Sequence, residues 1–95
     1  MHDAEEITLH IAANLGRLAR WAIERRTARV DQFLKETEEY LLRLREAPHG
    51  KRFAPTLERF EKEFNALKEE PRDLDWAERA LTWANILTHR AKLVS

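Results

Sequence analysis

The chain has no cysteine, two glycines, three prolines and no surplus of either charge. Each shortage excludes something. Without cysteine there is no disulfide, no thiolate nucleophile and no thiolate metal site. Lys+Arg and Asp+Glu both number 17, so the net charge is zero and the basic excess that drives non-specific nucleic-acid binding is missing. The balance is also local, with four charges of each sign in residues 1–26 and five of each in 51–70. No apolar run approaches the ~20 residues of a membrane span. The opening "MHDAEE" is acidic and lacks a signal-peptide core. A cytoplasmic protein without membrane contact is the expectation.

What remains is a 95-residue chain that is 43% hydrophobic and 36% charged. This is the composition of one helical domain, 1–95, with charge-laced outer faces. A chain of this size buries roughly 60–65% of its unfolded surface, so its core is thin. There is no alternating run and no hairpin turn to announce a strand.

Asp3 followed by Glu6 resembles a capping box. Ile7, Ile11, Leu15, Leu18 and Ala22 then recur at spacings of three and four, predicting a helix over about 4–25. Ala12, Gly16 and Ala19 share one side of it, where a neighbouring helix can come close. A second stripe, Val30, Phe33, Leu34, Thr37, Leu41 and Leu44, is out of phase with the first. Extending the first would need apolar residues where Arg25, Arg26 and Arg29 stand. The slip predicts a break near 25–28. An unbroken helix over 4–46 would instead be a rod of about 64 Å, too long for so small a chain to cover without a partner.

"APHGKRFAP", 47–55, is the one clear loop, and a third helix over about 56–69 follows with the narrow strip Leu57, Phe60, Phe64 and Leu67. Pro71 punctuates again. Asp75 with Glu78 predicts the start of a fourth helix over about 76–92. The expected fold is all-α: a small antiparallel bundle of four helices, or three if the first two are continuous.

The fourth helix carries Trp76-Ala77 and Trp83-Ala84, seven residues apart. Projected at ~100° per residue, an arc of alanines is bordered by the two tryptophans, and beyond them stand Arg72, Arg79 and Arg90, with Ile86 next. Arg79 is placed to lie against Trp83. The indoles can cover the rim of the protein's own core under arginine stems. They can instead face a partner, since Trp and Arg are the residues most enriched at binding hot spots. Base stacking is a third use, which zero net charge disfavours. The partner face is the expectation taken forward: Trp76, Trp83, Arg72, Arg79, Arg90 and Ile86 docking on a helix of another chain.

No sign of catalysis rises above this. Glu78, Thr82, Asn85 and His89 form a polar ridge that reads as a solvated face. Glu6 and His10 are a common i,i+4 pair, and His2 and His49 are isolated. The sole Glu-x-x-His, Glu46 to His49, is interrupted by Pro48, so no dinuclear metal site follows. Arg43 and His49 have the Arg-x5-His spacing of HEPN ribonucleases. Here the histidine falls in a Pro/Gly loop and Leu44 follows the arginine, and no resemblance to that family is claimed. The arginine cluster Arg17, Arg20, Arg25, Arg26 and Arg29 is a candidate anion patch. The functional expectation is a non-catalytic interaction or assembly module, a homodimer or a binder of another protein. It has no catalytic residue, cofactor, metal or implied small molecule. A nucleic-acid-associated regulator using the arginine cluster, and an HEPN-like ribonuclease, are the alternatives.

Overall fold

A computed structural model describes residues 3–94. It contains α1 (Ala4–Ile23), α2 (Thr27–Glu46), α3 (Ala54–Glu69) and α4 (Leu74–Arg90), closed by a 3-10 turn over Ala91–Leu93. The described residues include no strand. His2 lies outside them.

Each stripe seen in the sequence becomes a buried face. Ile7, Ile11, Leu15, Leu18 and Ala22 of α1 are buried, as are Val30, Leu34, Thr37, Leu41 and Leu44 of α2. Leu57, Phe60, Phe64 and Leu67 of α3 join the same core. The polar groups caught inside are satisfied locally. Thr8 donates to the Ala4 carbonyl and Thr37 to that of Phe33, each over 2.7 Å.

Cross-helix pairs set the directions. His10 stacks on Tyr40, Asn14 donates to Glu36, and Trp21 meets Phe33 edge-on. The partner number rises along α1 as its contacts retreat along α2, so the two are antiparallel. Lys68–Glu38 and Arg45–Glu61 do the same for α2 and α3. Arg90–Thr56, Trp83–Phe60 and Arg79–Glu63 do it for α3 and α4. The result is an up-down-up-down bundle. The close backbone approaches are those of α1 to α2 and to α4.

The α1–α2 break falls where the stripe slips, at Glu24–Arg26. It is closed without glycine, proline or asparagine. Arg26 N–H donates to the Trp21 carbonyl and Arg25 N–H to that of Ala22, at 2.9 and 3.1 Å. These are the two bonds of a Schellman motif. The left-handed position that usually holds glycine is Arg25, with φ 59°.

One boundary and one burial differ from expectation. The cap of α4 is Asp73, whose carboxylate accepts from Trp76 N–H at 2.9 Å, and not Asp75. Asp73 has no Glu or Gln three residues on, so it lacks the capping-box signature that pointed to Asp75. Phe53, assigned to the loop, is fully buried. Gly50 N–H donates to the Val94 carbonyl at 2.6 Å. Phe53 and the buried Val94 thereby plug one end of the bundle. The other end, formed by the α1–α2 turn and the α3–α4 connection, carries no such plug.

A left-handed arginine is strained relative to glycine by about 1–2 kcal/mol, partly offset by glycine's greater freedom in the unfolded chain. Arg25→Gly is therefore expected to stabilise the fold by about 0.5–1 kcal/mol, a rise of several degrees in Tm for a domain of this size, read by thermal circular dichroism.

Candidate functional site

Trp76 is 1% exposed and Trp83 9%, so both indoles belong to the core. This corrects the expectation of a free tryptophan row. The reason is α3, which lies against that flank of α4. Phe60 packs on Trp83 with ring centroids 5.5 Å apart.

The indole N–H of Trp76 has a specific task. It donates to the Leu67 carbonyl at 2.8 Å. In a continuing helix that carbonyl would accept from the N–H of residue 71, but residue 71 is proline and has none. Trp76 thus satisfies the acceptor that Pro71 orphans.

The arginines of the row are tied down as well. Arg79 does not lie on Trp83. Its guanidinium donates to Glu63 at 2.8 Å and to Glu70, and approaches Asp75 at 3.5 Å. Hydrogen bonding to Glu70 and then Glu63 raises its already high pKa. The Arg79 hydrogen bond in turn holds the Glu70 carboxyl below its ordinary range. Arg59 of α3, not Arg79, stands over the Trp83 ring, at 6.0 Å. Arg90 donates to the Thr56 hydroxyl at 2.9 Å. Ile86 is half-buried against the core. Arg72, exposed like Arg90, pairs with Asp31 at 3.6 Å and lies over Trp76 at 5.9 Å.

The other candidates are dispersed. Arg43 covers Tyr40 at 5.5 Å, while His49 Nδ1 lies 2.9 Å from the Ala47 carbonyl and its ring meets Phe53. Glu78, Thr82, Asn85 and His89 are all exposed. In the arginine cluster, Arg17 donates to Asn14, Arg26 pairs with Glu24 at 3.0 Å, and Arg29 lies over Trp21 at 5.3 Å. Among the described residues no three His, Cys, Asp or Glu side chains are grouped to hold a metal ion, and no buried side-chain nitrogen or oxygen lacks a partner. None of their helices is long and apolar enough to cross a membrane.

Two features unforeseen from the sequence emerge instead. The first is the outer face of the α1–α4 pair. α2 occupies the flank of α1 that bears His10, Asn14 and Trp21, so α4 takes the flank of the buried Ala12 and Ala19. Just outside that seam, by ~100° projection, lie Leu9, Gly16 and Ile23 on α1 and Leu74, Leu81 and Thr88 on α4. Each trio is spaced by seven residues. Ile23 is 61% exposed, Leu74 64%, Leu81 50% and Leu9 43%. They are four of the six large apolar side chains so exposed among the described residues.

The second feature is a cleft of about 640 Å3 at the unplugged end, between the α1–α2 turn and the start of α4. Its walls include Trp21, Ile23, Val30 and Leu74, and Arg25, Arg26 and Arg72 stand at it. Both features depend on which helices become neighbours, and neither leaves a motif in the chain. The heptad spacing of Leu74 and Leu81 was the one available signal, and the tryptophans at the same spacing obscured it.

Comparison with known protein families, curated proteins and solved structures returned no match.

Two outcomes test this local account. Trp76→Phe keeps the ring but leaves the Leu67 carbonyl without a donor, and is expected to cost about 1–3 kcal/mol in denaturant unfolding. Glu70, with its pKa depressed, contributes stability that is present above its ordinary value of 4.5 and lost as pH falls through the depressed one. Arg79→Met should therefore flatten the acid limb of the stability-versus-pH curve below pH 4.5. Added salt should do the same to the wild type in part.

Proposed function

We propose that the chain is a non-catalytic assembly module that pairs with a second copy of itself through the outer face of α1 and α4. The observation that carries this reading is the collection of Leu9, Ile23, Leu74 and Leu81 on one face of a protein in which over a third of the residues are charged. Large apolar side chains left exposed together on one face mark association sites.

Gly16 supports it independently. A glycine in mid-helix costs roughly 0.5–1 kcal/mol relative to alanine. A Cβ placed there would meet nothing within 4 Å, so packing inside the monomer does not require the glycine. It leaves a notch in the middle of the apolar face, level with Leu81 across the seam. In a two-fold pairing, Leu81 of each copy enters the Gly16 notch of the other.

The dimensions are adequate. The shared length of about 25 Å, two helices wide, buries on the order of 600 Å2 per chain. The total of roughly 1,200 Å2 stands at the lower bound of specific interfaces. Zero net charge removes long-range repulsion between copies.

Sedimentation or light scattering over a concentration series tests the pairing. The wild type is expected to approach twice the 11.3 kDa of one chain as concentration rises. Leu81→Glu and Gly16→Glu each place a carboxylate in the contact and are expected to hold the protein at single-chain mass. Leu81 is exposed and a Cβ at Gly16 meets nothing within 4 Å, so helicity should be unchanged, and at dilutions where the wild type is itself a single chain Gly16→Glu should melt no lower. A wild type that stays at single-chain mass through high micromolar concentration refutes self-association.

A further inference from the structure

We infer that the unplugged end of the bundle is a binding site for a compact apolar anion, an aromatic or branched aliphatic carboxylate small enough to sit between the α1–α2 turn and Leu74. The cleft there measures about 640 Å3, within the ~300–1,000 Å3 of small-molecule sites. One side is apolar. Trp21 offers part of its indole, held edge-on against Phe33 at 4.7 Å. Ile23 and Leu74 are the two most exposed of the large apolar side chains.

Part is charged. Three arginines and two aspartates line the cleft, and both acids are already engaged. Asp73 caps α4 through Trp76 N–H, and Asp31 takes the Arg72 guanidinium at 3.6 Å. Arg26 is matched by Glu24. The guanidinium of Arg25 has no hydrogen bond or ion pair among the described residues. An unanswered guanidinium beside an exposed Ile and Leu calls for a ligand with an apolar body and one negative charge. A carboxylate matches the planar guanidinium fork in two parallel hydrogen bonds. A neutral apolar molecule leaves Arg25 unanswered, and a small inorganic anion leaves Ile23 and Leu74 wet.

The site goes beyond the pairing proposed above and does not require it, but it shares Ile23 and Leu74 with that face, so a second copy and the ligand compete for this end. Ile23 and Leu74 stand at the end of the α1–α4 face, seven residues from Gly16 and from Leu81 respectively, close to two helical turns in each case.

The experiment is a titration of the full chain with naphthoate, followed by amide proton–nitrogen correlation spectra. Saturable shifts are expected at residues 21–31 and 72–74, with millimolar or tighter affinity. Naphthamide, with the same ring and no charge, is expected to bind at least about tenfold more weakly. Arg25→Gly, expected above to raise Tm, is expected to lose about tenfold in affinity for naphthoate, with Arg25→Lys between it and wild type. A site that survived Arg25→Gly unchanged, equal binding of naphthamide, shifts centred elsewhere, or no saturation at millimolar naphthoate would each overturn the assignment. Leu81→Glu, held at single-chain mass with the cleft uncovered, is expected to bind naphthoate at least as tightly as the wild type, so failure of the pairing and failure of this site are read separately.

Discussion

The close approach of α1 to α4 is the constraint from which the rest follows. It is permitted by small side chains on both sides: Ala12 and Ala19 on α1, Ala77, Ala80 and Ala84 on α4, all buried. When two helices meet through alanine, their axes draw together and there is no room in the seam for anything larger. Large residues one step around each helix then cannot turn inward. Leu9 and Ile23, Leu74 and Leu81 are in that position. They stand on the flanks of a seam too narrow to admit them, and they are exposed for that reason. The apolar outer face is thus a geometric consequence of the tightest internal contact.

The opposite side of α4 is built on the contrary principle. There the spacer residues are Trp76 and Trp83 against Phe60 and Phe64, all buried. Rings of this size hold the backbones apart, and polar groups bridge the gap at its rim. Arg79 spans from α4 to Glu63 on α3 and to Glu70, and Arg90 reaches Thr56. The indole N–H of Trp76 supplies the hydrogen bond that Pro71 withholds from Leu67. A proline that ends α3 and a tryptophan that opens α4 are in this way a matched pair, linked through one carbonyl. Removing either partner changes what the other requires.

The all-α bundle was legible in the sequence because its signals are local. Stripe positions such as Ile11, Leu15, Leu44, Phe60 and Phe64 are all buried, and the phase slip among Arg25, Arg26 and Arg29 marks the true break at Glu24–Arg26. The angular order around α4 was also read correctly as alanines, tryptophans, arginines. What that order faces is not local. Nothing in residues 72–90 says that α3, with Glu63 and Phe60, covers the tryptophan flank while the Leu74–Leu81 flank is left open. A Trp-Arg row reads the same whether its neighbour is the next helix of the chain or a separate molecule. The buried Phe53 escaped for a similar reason: its loop has turn chemistry, and only the docking of Val94 reveals a plug.

Two positions break local rules, and their locations coincide with the two open surfaces. Gly16 interrupts a helix that would be better served by alanine, and a Cβ there would meet nothing. Arg25 adopts the left-handed conformation that glycine takes without strain. Neither choice improves the folded monomer. A natural sequence is consistent across its levels except where function asks for something else. Strain is retained where the surroundings, or a ligand, give a reason for it. One exception sits in the middle of the apolar face and the other at the mouth of the cleft.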